Sequence, residues 1–162
     1  MNNKPIFSKG LYEWVMFLIS FYIRIKSSLK IDFESFIILQ VIVSHTLYNL
    51  NKEKIRTFTE LDYKFEKFIR DKYEDVPKLN YSNISNLLDL PRETIRRKCN
   101  FLEKKKLIKI DDYKGLIPGL GYQKIFSTFA SNTTLDVSKF IRKLNYSGLL
   151  DKALNFEKKD LN

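Results

Sequence analysis

LNYSNISNLLDLPRETIRRKCNFLEKKKLIKIDDYKGLIPG, residues 79–119, decides how this chain is read. Four signals follow one another. The spacing predicts a short helix over Ser82–Leu88, with Ile84, Leu87 and Leu88 on one face. Asp89–Pro91 reads as a turn, because a residue before proline is pushed out of the helical region. A second helix is expected over Arg92–Lys106, with Pro91 at or near its first turn, where its missing N–H costs nothing. Leu107–Ile110 and Leu116–Pro118 read as short apolar strands around the polar turn Asp111–Gly115.

At 100° per residue, Ile95, Cys99 and Leu102 of the second helix form one inward stripe. The opposite seam carries Glu93, Arg97, Asn100 and Lys104, with Arg96 beside it. Arg92 stands at the helix start, where a long side chain can swing outward. These groups can pair with base edges in a major groove: arginine with guanine, asparagine with adenine, glutamate with the cytosine amino group. Lys104, Lys105 and Lys106 suit phosphate contacts, and Tyr113 and Lys114 at the hairpin tip are expected to reach toward the DNA backbone or minor groove. The candidate DNA-binding set is Arg92, Glu93, Thr94, Arg96, Arg97, Asn100, Lys104, Lys105 and Lys114. The plainer alternative is a solvated charged face, with Glu93 and the lysines complementing the two ends of the helix dipole. The surrounding order favours base reading. Helix, tight turn, helix, hairpin is the order of a winged helix-turn-helix.

Pro91–Arg92–Glu93–Thr94–Ile95–Arg96–Arg97 resembles the recognition helix of the cyclic-AMP receptor protein and its FNR-type relatives. The resemblance implies that Arg92, Glu93 and Arg97 read bases and that Ile95 takes the place of a buried valine. It covers roughly residues 79–119. That family carries a β-roll nucleotide-binding domain upstream, and no stretch here reads as one. The flanking helices resemble the layout of MarR-type regulators, which implies a dimer built from N- and C-terminal helices. It also implies a small-molecule effector held between those helices and the DNA-binding lobe, where Phe36, Phe65, Tyr122, Phe126 and Phe129 would line a cleft and His45 and Tyr48 would supply polar groups.

The chain has 162 residues, 44% apolar and 14% aromatic, enough for a single domain with a proper core. A net charge of +10 implies a polyanionic partner. Nine basic and four acidic residues lie between Arg92 and Lys114, a local net of +5, so half the excess sits on this segment. Cys99, the only cysteine, excludes an internal disulfide and falls on the inward stripe. His45 has no cysteine or second histidine to share a metal with, so no structural zinc is expected. There is no glycine-rich phosphate loop and no nucleophile–base pair, so neither a cofactor nor an enzyme is expected. The apolar run Trp14–Ile23 falls short of the about 20 residues of a membrane span. No secretory signal is recognised. The expected setting is the cytoplasm, without a membrane.

Met1–Lys9 reads as an irregular lead. Leu11–Leu29 reads as a helix, apolar nearly all round, which must bury every side; a second subunit is the expected cover. Asp32 is a plausible N-cap for a helix over Phe33–Leu50. Asn49–Lys54 reads as punctuation, and Thr57–Thr59 opens a third helix to about Tyr73 with the stripe Leu61, Phe65, Phe68 and Ile69. Asp75–Val76–Pro77 breaks it. Gly119–Gly121 reads as a loop, Tyr122–Ala130 as helix or strand, and Asn132–Thr134 as a cap. A last helix is expected over Leu135 to about Phe156, with Gly148 marking a kink or a division into two.

The expected fold is mainly α, a winged helix-turn-helix with additional N- and C-terminal helices. Within one domain, residues 1–78 would serve dimerisation, 79–119 DNA binding, and 120–162 would form a helical extension. The expected function is a sequence-specific, double-stranded-DNA-binding transcription regulator acting as a homodimer. A plasmid or phage replication or partition factor is the alternative; a winged helix used as a protein-interaction module is the third.

Overall fold

The computed structural model describes residues 4–52, 56–71 and 76–155, with side chains throughout except at residues 4–7 and 58. The protein is mainly helical with one small antiparallel sheet of two strands. In chain order the elements are α1 (Lys4–Leu29), α2 (Phe33–Asn51), α3 (Phe58–Arg70), α4 (Tyr81–Leu88), α5 (Arg92–Lys104), β1 (Ile108–Asp111), β2 (Gly115–Pro118), α6 (Leu120–Tyr146) and α7 (Leu149–Leu154). They form two compact units: residues 31–128, and residues 1–30 together with 129–162.

In the 31–128 unit, α2 and α3 start where side chains accept orphan N–H groups. The Asp32 carboxylate takes the Ser35 N–H at 2.9 Å. Thr57 and Glu60 form a reciprocal capping box. α2 is long and apolar enough to cross a membrane by length and composition alone. Here it is a core helix, packed on α3, α5 and β2, and it buries Phe36, Ile38, Leu39, Ile42 and Val43. More than one stripe of it is apolar because more than one side of it is covered. α3 adds Phe65, Phe68 and Ile69, and α5 adds Ile95, Cys99 and Leu102. Each fully buried aliphatic or aromatic side chain of this kind contributes roughly 1.5–3 kcal/mol.

The strands pair with Ile108 opposite Pro118 and Asp111 opposite Gly115, one residue further along for β1 and one earlier for β2 than the sequence suggests. Gly115 has φ +76°. The chain at Leu79 crosses it closely: the Leu116 N–H donates to the Leu79 carbonyl at 2.9 Å. A Cβ on Gly115 would lie 2.2 Å from that same oxygen, so only glycine fits both the dihedral and the space.

In the second unit, α1 lies along the later part of α6. Phe17 stacks on Phe140 at 5.4 Å between ring centroids, with Trp14 at 5.7 Å from the same ring. Phe21 meets Phe129 at 6.3 Å. Arg24 lies over Phe21 and Phe129 and pairs with Asp136, and Lys143 pairs with Glu13 at 2.6 Å. The opposite side of α1 is open: Leu11, Val15, Leu18, Ile19, Tyr22 and Ile23 are 43–60% exposed.

Several expectations change. Residues 4–9 belong to α1 rather than to an irregular lead. α3 closes at Arg70, with Asp71 as its C-cap; residues 72–75, where the expected continuation to Tyr73 and the start of the break fall, lie outside the described residues. α2 and α3 belong with residues 79–119 and not with α1. Gly119–Gly121 is no loop, since α6 starts at Leu120, and Asn132–Thr134 caps nothing. The hydroxyls of Thr133 and Thr134 donate to the carbonyls of Phe129 and Ala130, which holds both threonines inside a continuous helix. Gly148, at φ +67°, separates α6 from α7; Phe156, the expected end, lies outside the described residues.

Candidate nucleic-acid interface

α4 begins at a reciprocal cap in which the side chains of Asn80 and Asn83 each accept the other's backbone N–H, at 3.0 and 2.9 Å. It ends on Asp89, whose φ of 51° turns the chain sharply. Ser85 locks that turn: its carbonyl accepts the Leu90 N–H and its hydroxyl donates to the Leu90 carbonyl at 2.6 Å. Pro91, at φ −55°, is the N-cap of α5. Of the three apolar residues expected inside α4, Ile84 is buried, but Leu87 is 68% exposed. An eight-residue helix turns one narrow face inward, and Leu87 falls outside it.

α5 ends at Lys104, with Lys105 as its cap and Lys106 at φ +60°, so the helix is two residues shorter than expected. Ile95, Cys99 and Leu102 are fully buried. Burial pushes the Cys99 thiol up to about 12, with Glu103 adding to the effect; such a thiol is unreactive. Opposite, Glu93, Arg96, Arg97, Asn100, Phe101 and Lys104 line one shallow groove. Arg96 donates to both Glu93 oxygens, at 2.9 and 2.7 Å, and the Arg96 guanidinium holds the Glu93 carboxyl below its ordinary range. The pair stands in water, where such contacts are weak and exchange readily for another partner. Among the described residues, neither Arg92 nor Arg97 donates a side-chain hydrogen bond to the protein.

Lys98 points the other way. Its ammonium contacts Asp32 at 2.8 Å and Glu34 at 3.1 Å, tying α5 to the first turn of α2. Partial burial works to raise the Asp32 carboxyl, but Lys98 and the N–H and hydroxyl of Ser35 hold it down at about 2. At the far end, Glu103 accepts the Ile110 N–H at 2.9 Å and joins α5 to β1.

Eight of the nine candidate residues are therefore on α5 and its cap. Arg92, Glu93, Arg96, Arg97, Lys104 and Lys105 are exposed, and Thr94 and Asn100 half-buried. Lys114 is not with them. It is 2% exposed, and its ammonium donates to the carbonyls of Phe68 and Asp71 and lies 4.5 Å from the centre of the Phe68 ring. The last carbonyls of a helix have no partner within it, and Lys114 supplies one at the end of α3. It cannot at once reach a DNA backbone. Tyr113, its neighbour at the hairpin tip, is 70% exposed. Asp111 shapes that tip by accepting the N–H groups of Tyr113 and Lys114, at 3.0 and 3.1 Å.

Phe101 was absent from the expected set, although it stands four residues after Arg97 and one after Asn100. The aromatics suggested as lining an effector cleft are core instead. Phe65 stacks on Phe126 at 4.8 Å, with Tyr122 at 6.4 Å, and all three are buried, while Tyr48 is 68% exposed. Compared with protein-family models, with curated proteins and with solved structures, the chain matches none.

Proposed function

We propose that residues 79–119 form a winged helix-turn-helix and that the protein is a sequence-specific, double-stranded-DNA-binding transcription regulator. The observation that carries this reading is the division of α5. Three fully buried residues face the core, and a groove of Glu93, Arg96, Arg97, Asn100 and Lys104 faces out, on a helix set by a locked turn before it and a hairpin after it. The likeness of Pro91–Arg97 to the receptor-protein recognition helix supports the same reading, as does the local net charge of +5. α5 enters the major groove, with Arg92, Arg97 and Asn100 toward base edges and Lys104 and Lys105 toward phosphates.

The protein acts as a homodimer. The open side of α1 carries six large apolar side chains, 43–60% exposed, and contiguous apolar surface of this kind marks a docking site. Covering it with a second copy presents two α5 helices, so half-sites lie about one helical turn apart, or a multiple of it.

The test is selection of bound sequences from a random duplex pool, repeated with Arg97→Ala. The reading expects enrichment of a two-part motif, and loss of preference at one position of each half-site in the variant, a discrimination of about 1–3 kcal/mol. Lys105→Ala should weaken all sequences alike and flatten the salt slope by about one. Equal binding of selected and scrambled duplexes overturns the reading.

A further inference from the structure

We propose that Phe101 reads the 5-methyl group of a thymine and so specifies one A·T pair in each half-site. The inference rests on the placement of α5 in the major groove, and it adds a contact that none of the charged residues can make.

Phe101 is 38% exposed and shares a groove with Glu93, Arg96, Arg97, Asn100 and Lys104. It is the one apolar side chain there. The Lys105 ammonium lies 5.4 Å from its ring centre, which covers part of the ring and leaves the rest as apolar C–H surface among hydrogen-bonding groups. In a major groove each base pair shows a distinct pattern, and thymine alone adds a methyl group, which apolar side chains contact. Asn100 precedes Phe101 directly, and its carboxamide matches the N6 and N7 edge of adenine. Phe101 beside it is set for an adjacent methyl. Arg97 lies one helical turn earlier on the same side, so the three residues read neighbouring base pairs.

The experiment uses the full chain and the duplex selected by the wild-type protein. Each thymine is replaced in turn by deoxyuridine, which removes the methyl group and leaves every hydrogen-bonding edge unchanged. Wild type should lose about fourfold in affinity at one thymine of each half-site, the size set by one methyl group left in water. Phe101→Ser should bind the thymine and deoxyuridine duplexes equally at that position. Should Phe101→Ser lose helicity by circular dichroism, Phe101→Gln is read in its place, since its methylene stem covers the same helix surface. A variant that keeps the wild-type ratio overturns the inference, and so does a wild type indifferent to every methyl group; in both cases the DNA reading stands. A pool that yields no enriched sequence overturns both.

Discussion

The Lys98 ammonium sits 2.8 Å from the Asp32 carboxylate, the same carboxylate that accepts the Ser35 N–H and caps α2. One residue of α5 thus fixes the helix against the core by its charge, while its neighbours on either side belong to the outer groove and the buried stripe. This pair makes part of the protein's stability depend on acid. The Asp32 carboxyl is lowered in the fold from 3.8 to about 2. A depressed carboxyl contributes stability that is present above its unfolded pKa and lost as pH falls through the folded one. The loss should therefore run from about pH 4 to pH 2. Asp32→Asn keeps a capping side chain and removes the charge. Urea titrations at pH 7 and pH 2.5 should show a smaller pH-dependent drop for the variant. Asp111, also held near 2, titrates in the same window, so the reduction is partial. An unchanged drop would mean that the pair contributes nothing.

Lys114 should govern folding of the hairpin and not DNA affinity. Its ammonium satisfies the Phe68 and Asp71 carbonyls. Lys114→Met keeps the stem and leaves two acceptors unpartnered, at a cost of about 1–3 kcal/mol for a buried polar group left unsatisfied. Thermal melts should show the loss, while the salt slope of DNA binding stays at the wild-type value. A slope flatter by about one would return Lys114 to the phosphate-contacting set.

Gly115→Ala should be among the most damaging single-methyl changes in the chain. It combines a left-handed dihedral with a backbone oxygen 2.2 Å from the new Cβ. The strain alone costs about 1–3 kcal/mol, and Leu79 must move away as well. Gly148→Ala meets no atom within 4 Å and shares only the dihedral penalty, so it is the control. Equal melting temperatures for the two variants would show that the Leu79 crossing is loose.

The open side of α1 should set the oligomeric state. Leu18→Glu places a carboxylate in the middle of that side without touching the Phe17–Phe140 stack. Sedimentation at about 10–50 µM, a range in which mass action favours a tight dimer, should give a dimer for wild type and a monomer for the variant. Phe17→Glu and Phe21→Glu are poorer tests, because those rings pack on Phe140 and Phe129 of their own chain. A wild-type monomer overturns the dimer.

What could be read from the sequence was local. The cap at Asp32, the opening of α3 at Thr57, the turn before Pro91 and the inward stripe of α5 each depend on residues within one or two helical turns, and each stands where expected. Three features depended on distance or on competing signals. Lys114 looks like any basic residue at a turn until Phe68, 46 residues earlier, is brought beside it. The glycines and Asn132–Thr134 resemble punctuation, yet α6 runs through Asn132–Thr134, and Gly119 and Gly121 are small because the Lys106 carbonyl passes close to both. Phe101 reads as one more apolar residue of a helix, and only its 100° offset from Leu102, the nearest member of the buried stripe, separates it from the core.

The unit that holds α1 is discontinuous, made of residues 1–30 and 129–162. Synthesis therefore delivers α1 first and withholds the aromatic partners Phe129 and Phe140 until residues 31–128 have been made. At about 5–20 residues per second, the wait is on the order of 5–20 s. Throughout it, Trp14, Phe17 and Phe21 have no lining at all. The unit of residues 31–128 is contiguous and can close on itself in the meantime. Nascent chains in which residues 31–128 have left the ribosome and Phe129 and Phe140 have not should thus carry a folded 31–128 unit and an adhesive leading helix, prey for any chaperone that takes apolar segments.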